Sequence, residues 1–258
     1  SRGLGDVYKR QPYIHSRWTS QDGNFMIDKK YHSWRFMPKK PAMREQRQPK
    51  RWGTPLAQEK INQRRRVEET TRLMMDNFQP GDTYFTLTFR EKLPVKEIKR
   101  LVEKFKRQIR DRLKQHGKAF KYLSVIENMG LAAKGRPHAH ILTNQLTEEE
   151  LRFAVSIWKM GRAKVERYGG AAMDAAKLSE YFCKEEIDKE TGSGRIALSQ
   201  NLLRRAPVKE IVTRSETYRE EIRAPKGYRV VEALSYNVRT DDGYPIKVAV
   251  FERIGGKL

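Results

Sequence analysis

The sequence predicts an α+β fold: an antiparallel or mixed sheet with helices packed on one face, and a β-hairpin near the C-terminus. Three observations predict it. From residue 82 the apolar repeat switches between two-residue and 3.6-residue periods, in the order strand, helix, strand, strand, helix, strand, helix. The first of the strand-like runs, DTYFTLTFR, is dense in β-branched and aromatic residues. Near the end of the chain, GYRVVEALSYNVRT and PIKVAVFERI flank Asp241-Asp242-Gly243, a turn sequence between two strand-like runs.

The opening SRGLGDVYKRQ has no periodicity related to the rest of the chain, and residues 1–11 read as a non-native remnant. Residues 12–60 are basic, broken by Pro38, Pro41, Pro49 and Pro55, and poor in apolar patterning, which predicts an extended, partly disordered arm. Trp34, Phe36 and Trp52 lie among its cations and could help grip a nucleic-acid strand. Order is predicted to begin at residue 61. Val67, Met74 and Phe78 recur at helical spacing until Pro80-Gly81 stops the run. After the FTLTF strand, a helix from Pro94 carries Val95, Ile98, Leu101, Val102, Phe105, Ile109 and Leu113 on one stripe, and Gly117 closes it. KYLSVIE and PHAHILT read as the second and third strands. Thr147 and Glu150 form a capping-box pattern ahead of an amphipathic helix, GRAKVERY reads as a fourth strand, and AAMDAAKLSEYFCKEE as a helix. This order suits a ferredoxin-like layer. The predicted division is an arm over 1–60, a domain over 61–190, and a C-terminal extension with the hairpin over 191–258.

Composition restricts the partners. The 258 residues carry a formal charge of +22, an excess that attracts polyanions and makes nucleic acid the leading partner. A single cysteine, Cys183, excludes an internal disulfide and a cysteine-based zinc cluster. No run approaches the length of apolar chain that spans a membrane, and the N-terminal residues lack a secretory h-region, so cytoplasmic residence is expected.

GRPHAHILT places two of the five histidines one residue apart, on one face of a strand. Such a pair can be hydrogen-bonded strand histidines or can hold a metal. In YLSVIE the alternation ends on Glu127, within reach of His138 and His140 if the two strands pair. Two imidazoles and a carboxylate suit Mn²⁺ or Mg²⁺, and zinc is compatible in ligand type. In the last helix Asp174, Lys177, Tyr181 and Lys184 share one face while Ala175, Leu178 and Phe182 share the other. Tyr181 is therefore presented outward, where it can act as a nucleophile beside a metal-binding strand.

Three motifs in order carry a resemblance. FTLTF, HAHILT and LSEYFCK resemble the ordered motifs of HUH-type rolling-circle replication initiators, in particular the single-tyrosine replication-associated proteins of filamentous phages and small plasmids, over residues 82–186. The resemblance implies a ferredoxin-like endonuclease domain that nicks single-stranded DNA at an origin or hairpin and rejoins it. It implies metal binding by His138 and His140 with Glu127 as an acidic third ligand, Tyr181 as the nicking residue and Lys184 in support of cleavage. Lys134, Arg136 and Lys177 are the candidate DNA contacts. Thr143 is more polar than the family position, and no second tyrosine follows in the catalytic helix. A host helicase and polymerase are the implied partners, since no GxxxxGK[ST] phosphate loop is present.

Within the same enzyme class, a conjugative relaxase or a single-tyrosine transposase would use these residues too. A histidine-triad hydrolase would need a third alternating histidine where Leu142 stands, a cupin a nearby glutamate, and a two-histidine phosphoesterase a second histidine motif. From another class, a non-catalytic nucleic-acid-binding module could stack bases on Tyr84, Phe85 and Phe89.

Overall fold

The computed structural model describes residues 13–32, 56–129, 135–183, 196–212, 221–239 and 244–255. In chain order the elements are β1 (Tyr13–Thr19), β2 (Phe25–His32), α1 (Leu56–Asn77), β3 (Thr83–Thr88), α2 (Val95–Gln115), β4 (Tyr122–Glu127), β5 (His138–Thr143) and α3 (Glu148–Ile157). There follow β6 (Ala163–Arg167), α4 (Ala172–Cys183), β7 (Ile196–Leu198), β8 (Val208–Val212), β9 (Tyr228–Val230), a short 3₁₀ turn, β10 (Tyr236–Arg239) and β11 (Pro245–Arg253). They form two compact units, one from residues 1–62 with 205–257, the other from 63–204.

The second unit holds an antiparallel sheet in the order β6-β3-β5-β4-β7. Strands β3 and β4 run parallel with β5 inserted between them, the split arrangement that a ferredoxin-like layer requires. On one face α2 and α3 bury a single core. Ile98, Val102, Phe105, Ile109 and Leu113 of α2 meet Phe85 and Leu87 of β3, Ala139 and Ile141 of β5, and Ala154 of α3. Gly117, at φ +68, ends the α2 region as predicted, and Lys118 N–H returns to the Leu113 carbonyl at 2.9 Å. Thr147 and Glu150 form the predicted reciprocal cap of α3.

Helices on one face only, the arrangement the sequence predicted, is corrected. The C-terminal half of α1 and α4 cover the opposite face: Thr70 Oγ1 lies 3.6 Å from Cys183 Sγ, Ser179 Oγ 3.4 Å from Met74 Sδ, and Phe182 stacks on Tyr84 of β3. The physical reason is visible in β5, where Ala139 and Ile141 face one layer and His140 and Leu142 the other, all buried. A strand buried on both faces needs cover on both.

The predicted arm is also corrected. Residues 13–32 form the hairpin β1–β2, paired from Tyr13↔His32 to Thr19↔Met26, with Ile14, Ser16 and Trp18 buried. Asp22 ties its turn by accepting the Asn24 N–H at 3.0 Å. Residues 1–11 and the proline-rich stretch from 33 to 55 lie outside the described residues. The C-terminal hairpin is present as β10–β11, with its Asp241–Gly243 turn outside the described residues, yet it is no separate extension. Strand β11 pairs with β2, and β8 with β1, so both chain ends build one six-stranded sheet. The predicted boundary at 190 moves to 204, because β7 pairs with β4 and Asn77 holds both backbone groups of Leu203. Among the described residues no helix is long and apolar enough to cross a membrane.

Candidate active site on the histidine strand

The register brings the three proposed ligands to one face. Glu127 of β4 stands directly opposite His138 of β5, and His140 is two residues further along the same face. The loop between these strands leaves β4 through Asn128 at φ +53, a conformation that asparagine tolerates better than most side chains, and Asn128 Nδ2 donates to the Arg136 carbonyl at 3.3 Å. The imidazoles of His138 and His140 lie nearly parallel, 10° apart with centroids 6.4 Å apart.

Helix α4 delivers Tyr181 onto this face. Gly170, at φ +79, turns the chain into the helix against the Pro80 ring, and Asp174 Oδ2 accepts the Ala171 N–H at 3.1 Å. Ala172, Ala175, Ala176 and Phe182 are buried, while Lys177 and Tyr181 are exposed, as the helical spacing predicted. The Tyr181 hydroxyl lies 3.0 Å from His140 Nε2, and Glu127 Oε2 is 3.9 Å from the same nitrogen. On the other side of the ring, His140 Nδ1 is 2.9 Å from the Tyr84 hydroxyl and 3.4 Å from Thr86 Oγ1.

Electrostatics follow from this burial. Desolvation lowers the pKa of His140, with the neighbouring His138 adding to the shift and the Glu127 carboxylate opposing it, so the imidazole is neutral. Desolvation raises the Tyr181 phenol, and the nearby Glu127 carboxylate raises it further. Tyr84 is raised as well, by burial first and then by Tyr181 and Glu127.

The donor set suits a divalent cation: two imidazoles and a carboxylate on one face, with a His138 Nδ1 that is buried and has no hydrogen-bond partner among the described residues. The Tyr181 hydroxyl lies where a ligand to His140 Nε2 would approach, and among the described residues no three His, Cys, Asp or Glu groups converge as a metal centre. Of the other predicted residues, Arg136 and Lys177 are exposed at the surface, while Lys134 and Lys184 lie outside the described residues.

Two site residues escaped the sequence reading in these roles, Tyr84 and Thr86. Their signal was the two-residue alternation of TYFTLT set against HAHILT, which places both on the histidine face. The base-stacking platform is corrected: Phe85 and Phe89 are buried in the core beneath α2 and α3, and Tyr84 packs against Phe182.

Residues 82–186 match the family model of replication-associated proteins of the ORF2 and gene 2 protein type. Comparison with curated proteins and with solved structures found no match. The matched segment runs from just before β3 to just beyond α4, and so contains both histidines, Glu127 and Tyr181. Residues 82–186 are thus similar to replication-associated proteins of this type, a likeness consistent with a rolling-circle replication initiator.

Proposed function

We propose that this replication-associated protein nicks single-stranded DNA at a specific origin or hairpin through a metal-dependent, 5′-phosphotyrosine intermediate, and rejoins strands by the reverse reaction. The observation that carries this reading is the Tyr181 hydroxyl at 3.0 Å from His140 Nε2, which joins the candidate nucleophile to the candidate ligands. In the reaction, the Tyr181 oxygen attacks phosphorus and the bond from phosphorus to the 3′-oxygen breaks. The leaving oxygen takes up a proton and becomes a 3′-hydroxyl that a polymerase can extend, with a separate helicase unwinding the duplex. One phosphodiester has been exchanged for another, so a 3′-hydroxyl can attack the phosphotyrosine and reseal the strand without ATP.

Burial and Glu127 keep the Tyr181 phenol protonated, so the side chains alone do not generate a phenolate. A divalent cation, Mn²⁺ or Mg²⁺, held by His138, His140 and Glu127 would offset the carboxylate charge and draw electron density from the scissile phosphate. Lys184, three residues after Tyr181, would stabilise charge developing on the phosphate or the leaving oxygen. Lys134, Arg136 and Lys177 would hold the strand by its phosphates.

Tyr181→Phe removes one oxygen and keeps the ring, so fold and DNA affinity are expected to persist while no covalent adduct forms on a 3′-labelled origin oligonucleotide. The label migrates with protein on a denaturing gel only through a 5′-phosphotyrosine bond. Lys184→Ala should form the adduct more slowly. Normal adduct yield from Tyr181→Phe overturns the assignment, and the buried Tyr168 is poorly placed to take the role over.

A further inference from the structure

We propose that the outward face of α2 is a basic ridge that grips the phosphates of double-stranded DNA, on the side of the sheet away from the histidines. The inference goes beyond the nicking reading and needs neither a metal nor Tyr181.

The helix that buries an apolar stripe against the sheet carries a basic one outward. Lys96, Arg100, Lys104, Arg107, Arg110 and Lys114 succeed one another at steps of four, four, three, three and four residues, the spacing of neighbours on a helix surface. All six are exposed. Arg100 is held by Glu97, and the side chains of the other five make no ion pair or hydrogen bond among the described residues. Of the acids on the same face, Glu103 is taken by the buried Lys106, which leaves Asp111 alone against five cations. A helix face that only has to be wet ordinarily mixes the two signs, because cations three and four residues apart repel each other. Here they stand side by side for about five turns. The apolar stripe holds the helix in place in spite of that repulsion, and a polyanion laid along the row relieves it.

Packing fixes where the ridge lies. Residues Ile98, Val102, Phe105, Ile109 and Leu113 press α2 onto Ala139 and Ile141 of β5, which alternate with the histidines. The ridge therefore looks away from the face that carries His138, His140, Glu127 and Tyr181. The sheet and a helix of about 10 Å diameter separate the two, so a short strand seated on the histidines does not also lie on the ridge. From Lys96 to Lys114 the ridge runs straight for about 27 Å. A duplex is stiff over far greater lengths and presents phosphates along most of one turn, about 34 Å, to such a ridge. A single strand would have to be straightened to do the same, and it carries half the charge per unit length. Charge and shape together commit the ridge to the duplex.

The test is fluorescence anisotropy of the full chain across a salt series, in EDTA so that no cleavage intervenes, with a random-sequence duplex a few turns long and with its single strand. Replacing Lys104, Arg107, Arg110 and Lys114 with glutamine, which keeps helix propensity, should lower the log–log salt slope for the duplex by up to about 3.6, or 0.9 for each phosphate released. The slope for the single strand should change much less. Removing the same charge at Arg64, Arg65, Lys209 and Lys226, exposed on other parts of the chain, should lower the duplex slope less than the ridge variant does. In the wild-type chain, bound duplex should shield Lys96, Lys104 and Lys114 from acetylation, read by mass spectrometry. An unchanged duplex slope overturns the proposal, as does a wild-type chain that does not bind duplex. Equal losses on duplex and single strand overturn the commitment to the duplex, and equal losses in the two variants reduce the ridge to net charge and overturn it too. Absence of shielding overturns it even if the ridge variant fails to fold. Tyr181→Phe should bind the duplex as the wild type does, so failure of the nicking reading leaves this result standing.

Discussion

Replacing Gly170 with alanine tests whether the turn into α4 places Tyr181. Gly170 has φ +79, and a Cβ there would lie 2.5 Å from three atoms of Pro80. The left-handed conformation costs a non-glycine residue about 1–2 kcal/mol. Forcing the chain to yield to a rigid ring adds about 1–3 kcal/mol, since Pro80 has no flexible end to swing away. Restricting the unfolded chain returns about 0.4–1 kcal/mol. The net loss is about 3 kcal/mol from these three contributions. Gly117→Ala is the control: φ is +68, but nothing lies within 4 Å of its Cβ. Only the conformational strain remains there, a net loss of about 1 kcal/mol. Urea denaturation measures both, and a shift of the α4 start should slow Tyr181–DNA adduct formation roughly hundredfold in Gly170→Ala alone. Equal stability losses in the two variants would refute the packing argument, and normal adduct formation by a destabilised Gly170→Ala would detach the turn from the placement of Tyr181.

Glu150 gives an acid limb. Burial pushes its carboxyl up, but the Thr147 N–H, His116 and Lys118 outweigh it and hold the group at about 2. Its folded pKa lies below the unfolded value near 4.3, so its stabilisation, about 3 kcal/mol, is present above that pH and lost as pH falls toward 2. Glu150→Gln should flatten the fall in urea midpoint over that interval. DNA affinity should fall steeply with salt, and replacing Lys39, Lys40, Arg44 and Arg47 with glutamine should reduce the log–log slope by up to about 3 if those side chains contact phosphate. An unchanged slope moves the contacts elsewhere. His138→Ala or His140→Ala should abolish Mn²⁺-dependent nicking, and Glu127→Ala should weaken it about tenfold to hundredfold. Unaltered calorimetric Mn²⁺ binding in the double histidine variant refutes the site.

The matched domain was legible in the sequence because each of its elements carries a local signal. The α2 stripe, the Thr147–Glu150 cap and Gly117 all act within a few residues, and the structure repeats them. The pairing of Glu127 with His138 was legible because only a loop separates the two strands. What escaped depends on partners distant in sequence. Strands β1 and β2 find β8 and β11 about two hundred residues away or more, and their other faces carry Arg17, Asp28 and Lys30, which read as a solvated arm. Lys106 shows the same limit inside a helix. It falls among charged residues in the sequence, yet it is buried, its ammonium paired with Glu103 and placed 4.4 Å from the Tyr122 ring centroid.

The surroundings of Tyr181 bear on when such a nucleophile can act. A free phenol near pKa 10 is about one part in a thousand ionised at pH 7, and burial beside Glu127 reduces that fraction further. Its oxygen lies 3.0 Å from His140 Nε2, and Glu127 Oε2 is 3.9 Å from the same nitrogen. On the proposed reading, both residues are also ligands. His140 and Glu127 would hold a divalent cation there, and its charge would offset the carboxylate charge that opposes ionisation of Tyr181. Loading the site and easing that ionisation are then a single event. A tyrosine bonded elsewhere, for instance to a fixed backbone carbonyl, would have its reactivity set independently of the metal, and no such coupling would arise. On that reading Tyr181, held against His140, is a nucleophile that stays quiet until the site is loaded, with the Tyr84 hydroxyl 2.9 Å from Nδ1 on the far side of the ring.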